Sequence, residues 1–231
     1  MAKSNPSHTP SDKIHIDIVS DIVCPWCWLG TRYLQQAVVD TRQHKPETDV
    51  HLTWRPYMLD PNIPAKGVVY RDYMKSKFGT GPNDRFKAMR EHLEAAAPEV
   101  GIDFRFSDIP MRPNTLKAHM LMKWAQGQNK GDQAAEALFK AFFADLRDVG
   151  NTDVIIDIAE EIGLDPVIVS DLLAQNKDSD KIMAEIAYFR GLGVSGVPSF
   201  IYNGSFLIQG AQPAETHIKA IEKATQSPVE L

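Results

Sequence analysis

The chain has 231 residues, 43% of them hydrophobic and 24% charged, with a formal net charge of −5. That length buries a substantial core, either as one domain with an insertion or as two small domains. The negative balance gives no basic footprint for nucleic acid or an anionic membrane, and no apolar run approaches the length of a membrane span.

Met1 to Lys13 is polar, contains Pro6 and Pro10, and lacks an apolar h-region. It reads as a disordered lead-in over 1–13 and not as a secretory signal, so the protein is expected to be cytoplasmic. Ile14, Ile16 and Ile18 alternate with His15, Asp17 and Val19, which predicts a strand partly buried on both faces. After a turn at 21–23, Cys24-Pro25 opens a helix whose apolar face carries Leu29, Tyr33, Leu34, Ala37 and Val38. Val50 to Arg55 alternates again as a second strand.

From Val68 to Arg190 helical spacing dominates. Asn114 is expected to cap a helix bearing Leu116, Met120, Leu121 and Trp124, and Ala134, Leu138, Phe142 and Leu146 form a further stripe. Asn151 caps a third helix, Asp165-Pro166 starts a fourth, and a fifth runs from about Asp178 to Gly191. The pattern then returns to strands: Pro198 to Tyr202, a two-residue turn at Asn203-Gly204, and Ser205 to Gln209. Pro213 begins a last amphipathic helix. The order is βαβ, a helical block, then ββα: an α/β thioredoxin fold with a large all-helical insertion. The expected division is a thioredoxin-like domain from 14–64 and 191–231, with the insertion over 65–190.

Both cysteines of the chain, Cys24 and Cys27, stand in Cys-Pro-Trp-Cys at the first strand-to-helix junction. Two residues between thiols allow a disulfide within one helical turn, and a cytosolic dithiol of this kind is expected to be transient and catalytic. Cys24 at the helix N-terminus faces unpaired N–H groups and the positive end of the dipole, which favour the thiolate that attacks a disulfide. Cys27, one turn inside, is expected to be more shielded and to resolve the mixed disulfide. Trp26 contributes an apolar surface beside the sulfur, whereas Trp28 reads as a core residue. In a thioredoxin-like fold Pro198 is the cis-proline facing the dithiol, and Val197 presents its backbone to an extended substrate.

Competing readings weaken on inspection. Structural zinc needs four ligands, but no second Cys pair and no closely spaced His pair exist. Asp21 reads as a loop cap sooner than a proton relay, and His119 as a partly exposed packing residue. The charges of Arg71, Lys75, Lys77, Arg85, Lys87 and Arg90 read as a solvated helix face.

Five segments carry a resemblance: Asp21 to Gly30, Trp54 to Pro61, Asn114 to His119, Gly193 to Pro198 and Gly210 to Pro213. In this order they resemble the DsbA-family thioredoxin-like proteins of the FrnE subgroup, described as dithiol-disulfide isomerases. The resemblance implies Cys24 and Cys27 as the redox pair and Pro198 as the cis-proline. It also brings in 2-hydroxychromene-2-carboxylate isomerases and kappa-class glutathione transferases, which generally carry serine at the position of Cys24. The expected activity is thiol-disulfide exchange with protein or small-molecule thiols and disulfides, with no cofactor beyond the redox-active disulfide and with glutathione as a co-substrate candidate. The alternative is a glutathione-dependent isomerase or transferase. A redox-sensing binding module is the third reading. The oligomeric state, monomer or homodimer, stays open.

Overall fold

The computed structural model describes residues 13–79 and 85–226. The chain enters as β1, Lys13–Ser20, so Lys13 is already a strand residue; the rest of the expected lead-in, 1–12, lies outside the described residues. Ile14, Ile16 and Ile18 are fully buried on one face and Val19 on the other, the pattern of a central strand. The crossover that parallel strands require is α1, Pro25–His44, leading to β2, Asp49–Pro56.

The block that follows contains β3, Val68–Val69, α2, Tyr70–Phe78, and α3, Arg85–Ala96. Next come β4, Met111–Arg112, α4, Leu116–Gln126, and α5, Gly131–Phe143. It ends with α6, Thr152–Glu161, α7, Pro166–Ala174, and α8, Ser179–Gly191. The insertion is therefore helical apart from a small ladder in which Val68 faces Arg112. Two residues per strand are too few for alternation to show in a sequence. The caps are where the side chains demand them: Asn151 accepts from the Asp153 N–H at 2.8 Å, and Asp165 from those of Val167 and Ile168 at 2.9 and 3.2 Å. Asn114 differs slightly. Thr115 is the N-cap residue, while Asn114 accepts from the Leu116 N–H at 3.0 Å and donates to the Ile63 carbonyl at 2.7 Å. Leu146 lies beyond the end of α5, at a φ of 61°.

The chain returns as β5, Ser199–Tyr202, β6, Phe206–Gln209, and α9, Ala214–Gln226. The positive φ values of Asn203 (49°) and Gly204 (67°) form the tight hairpin turn. The sheet order is β2-β1-β5-β6. β1 runs parallel to β2, with Ile16 opposite Leu52, and antiparallel to β5, with Ile18 opposite Phe200. α9 packs beside α1 and against β1 and β5, while α4 and α8 contact β2.

The edge strand β2 is plugged by side chains. Gln126 accepts the Trp54 N–H at 2.6 Å and donates to the Trp54 carbonyl at 2.9 Å, replacing one rung of a neighbouring strand. Among the described residues Val19, Tyr57, Phe189 and Val194 form a small apolar cluster, and the main apolar core runs from the sheet through α1 into α4 and α5. Trp28 is its hinge point: the ring stacks on Phe139 and Phe143 at 6.2 and 6.0 Å and meets Phe104 edge-on at 5.6 Å. Such pairs add about 0.5–1.5 kcal/mol each beyond area burial, so the insertion is packed firmly onto α1.

Candidate active site

The turn between β1 and α1 is closed by the Cys24 N–H donating to the Asp21 carbonyl at 3.0 Å. Cys24 keeps an extended conformation (φ −98°, ψ 110°) as the N-cap residue, with Pro25 in the first turn, where a missing N–H costs nothing. Its side chain makes no cap. The Cys24 Sγ instead points at the Val197 carbonyl, 3.6 Å away, immediately before the cis Val197–Pro198 bond. Residues 173 positions apart in sequence thus meet at one sulfur.

Both cysteines are free thiols. Cys24 is 4% exposed and Cys27 is fully buried. The order of shielding is as expected, but Cys24 is itself nearly enclosed, because it belongs to the apolar core as well as to the mouth. Burial pushes the Cys27 thiol well above the ordinary thiol range, and the neighbouring Cys24 adds to this. The Ser20 hydroxyl and the Asp21 backbone oppose the shift without cancelling it. Trp26 is half-buried, with its ring 5.3 Å from that of His92 on α3. Trp28 is a core residue, its indole N–H held by Glu136 at 3.0 Å. Val197 is half-buried and Pro198 buried. Gly30 of α1 lies so close to Pro198 that a Cβ there would meet its Cγ at 3.2 Å.

A buried polar layer backs the turn. Asp21 is 1% exposed; its Oδ2 accepts the Leu59 N–H at 2.8 Å, and its Oδ1 lies 3.5 Å from His119 Nε2. Burial alone raises its pKa, yet the His119 ring, the Arg112 charge and the Leu59 amide outweigh that, and the net shift is downward. The carboxylate therefore stays ionised behind the dithiol. His119 is 4% exposed and bonds the Tyr57 carbonyl at 2.8 Å, so it is a buried anchor and not a partly exposed packing residue. Arg112, 5% exposed, donates to the Val23 carbonyl at 3.0 Å and covers the Tyr73 ring at 5.0 Å.

Sequence reasoning missed Arg112, which stands in no periodic pattern and reaches the site by a tertiary contact with the Val23 carbonyl. The Asp60–Lys77 ion pair at 2.6 Å likewise removes Lys77 from a purely solvated face. Among the described residues no three His, Cys, Asp or Glu side chains converge as a metal site requires, and no helix is long and apolar enough to cross a membrane.

The geometry has counterparts among known proteins. A crystal structure described as a probable DsbA oxidoreductase from Streptomyces coelicolor is 26% identical and superposes with a TM-score of 0.84, over 94% of this chain and 93% of that one. The protein YwbO of Bacillus subtilis is 25% identical over 209 residues, covering 90% of this chain and 96% of its own. The cytosolic disulfide reductase DsbM from Pseudomonas aeruginosa, solved with GSH, shares the fold at 15% identity, with a TM-score of 0.56 over 92% of this chain and 96% of that one. The family model of the DSBA-like thioredoxin domain matches residues 15–222, and the chain belongs to that family.

Proposed function

We propose that the protein is a thiol-disulfide oxidoreductase that exchanges disulfides through Cys24 and Cys27. The observation that carries this reading is the placement of Cys24 Sγ at the start of α1, 3.6 Å from the carbonyl preceding the cis-proline, with the second thiol one turn deeper. Cys27 keeps its proton at neutral pH because burial and its neighbour raise its pKa, so the attacking sulfur is Cys24. Cys24 forms a mixed disulfide with the substrate, and Cys27 then attacks Cys24 and releases the substrate thiolate. Trp26, Val197 and Pro198 form the rim against which an extended disulfide-bearing segment docks.

The dithiol carries the two electrons itself, so the chemistry needs no bound cofactor; glutathione or a protein thiol serves as the electron partner. A Cys-Pro-Trp-Cys pair whose disulfide forms and breaks in each cycle suits a reducing, cytoplasmic setting. Insulin reduction and the refolding of a scrambled disulfide protein test the reading. Cys24→Ser is expected to abolish both activities, and equal activity in that variant and the wild type overturns it.

A further inference from the structure

The turn that carries the first sulfur is tied down at three points. Asp21 takes the Leu59 N–H at 2.8 Å, Cys24 Sγ meets the Val197 carbonyl at 3.6 Å, and between them the Val23 carbonyl accepts from Arg112 Nη1 at 3.0 Å. Arg112 is buried, and the ladder with Val68 fixes its backbone. The face of its guanidinium covers the Tyr73 ring at 5.0 Å, and Nη2 lies 3.7 Å from Asp60 Oδ2. Asp60 is already committed elsewhere, taking Lys77 Nζ at 2.6 Å and the Tyr73 hydroxyl. Arg112 Nε has no hydrogen-bond partner among the described residues. A buried cation paired this incompletely costs stability, and such costs collect at functional sites. The Val23–Cys24 peptide unit is held at both ends: its carbonyl faces Arg112, and its N–H donates to the Asp21 carbonyl at 3.0 Å. Val23 is itself buried, so without Arg112 its carbonyl has no ready access to water.

We propose that Arg112 is a positioning residue for disulfide exchange: it locks the plane of the Val23–Cys24 peptide and thereby aims Cys24 Sγ at the rim formed by Val197 and Pro198. The inference rests on the dithiol reading above and adds to it a part supplied by the insertion. A peptide unit is planar, so fixing its carbonyl and its N–H fixes the direction in which the Cys24 Cα leaves it. Only the torsion about Cα–Cβ then remains to place the sulfur. Released from Arg112, the Val23 carbonyl turns toward another donor, the plane rotates, and the sulfur moves off its line of attack on a docked disulfide. Arg112 touches no reacting atom and acts only through Cys24.

Cys27→Ala leaves Cys24 as the only thiol of the chain, and two reactions of that parent separate placement from ionisation. Capture of insulin as a mixed disulfide requires the sulfur to stand in line with a docked S–S bond. Alkylation by iodoacetamide requires only an accessible thiolate. Both consume the same thiolate, so the ratio of their rates cancels its ionisation. Arg112→Met in this parent is expected to lower the ratio of capture to alkylation about tenfold, within the roughly hundredfold that a displacement of about 1 Å costs a reacting group. Arg112→Lys keeps the charge and a donor, but its single ammonium cannot serve Val23 and Asp60 together. Its ratio is expected to recover to about threefold below the parent. An unchanged ratio in Arg112→Met, whether neither rate moves or both fall together, overturns the proposal. If the methionine variant does not fold, an unchanged ratio in Arg112→Lys overturns it alone. A parent that captures no insulin overturns the dithiol reading itself, and the positioning role with it.

Discussion

Gly30 marks the closest approach of α1 to the strand entrance at Pro198. A Cβ at this position would stand 3.1 Å from the Ala211 Cα, 3.2 Å from the Pro198 Cγ and 3.3 Å from the Phe200 Cζ. Alanine gains up to about 1 kcal/mol of helix propensity over glycine, whereas crowding a packed core costs about 1–3 kcal/mol. Crowding wins. Gly30→Ala is expected to lower stability by about 1 kcal/mol, read as a lower urea midpoint, and to disturb Cys24 reactivity because Pro198 must give way. At the second sulfur the expectation is different. Cys27→Ala leaves Cys24 able to attack but removes its only partner, so a mixed disulfide should accumulate and be visible by intact-mass measurement. Full turnover by this variant with no mixed disulfide detected would contradict the assignment of roles.

Between elements, one carboxylate does much of the fastening. Glu136 on α5 accepts from the Trp28 indole at 3.0 Å and from the Arg32 guanidinium at 2.6 Å, both on α1. Trp28 is buried, whereas Arg32 and Glu136 side chains keep about a third of their exposure. Glu136→Ala strands a buried N–H and is expected to cost about 1–3 kcal/mol, while Arg32→Ala removes only a screened ion pair and should cost less than about 1 kcal/mol. Chemical denaturation of the two variants separates them; equal losses would mean that the indole bond contributes nothing.

The same scale explains what could be read from the chain beforehand. Capping side chains at Asn151 and Asp165, the Asn203-Gly204 turn and the Cys24–Cys27 spacing are local, so their chemistry is visible in a few consecutive residues. The β3–β4 ladder was invisible because two-residue strands have no period. Arg112 and the enclosure of Cys24 depend on neighbours brought from distant segments, and no local pattern encodes those meetings.

For the molecule as a whole, the response to mild acid is expected to include a buried histidine outside the dithiol turn. His217 of α9 is fully buried, its Nδ1 2.5 Å from the Tyr202 hydroxyl, with the Phe200 ring edge-on at 4.8 Å. Burial, against a smaller opposing effect from the Gln212 backbone, lowers its pKa from 6.5 to about 4. In the unfolded chain the ring takes its proton near pH 6.5; in the folded chain it stays neutral to about pH 4. The unfolded state binds more protons across that window, so stability is complete above it and is lost as pH falls through it. The loss is on the order of 3 kcal/mol. Urea unfolding at pH 7 and pH 4.5 should show it, and His217→Gln should flatten the dependence; an unchanged slope would place the acid sensitivity elsewhere.

Arg112 has an implication for anyone who would miniaturise this scaffold. Its guanidinium arrives from the small ladder and grips the carbonyl just ahead of the first sulfur. Trimming the chain down to its sheet and two flanking helices would leave that peptide group without its clasp, so a shortened version has to carry a substitute donor along.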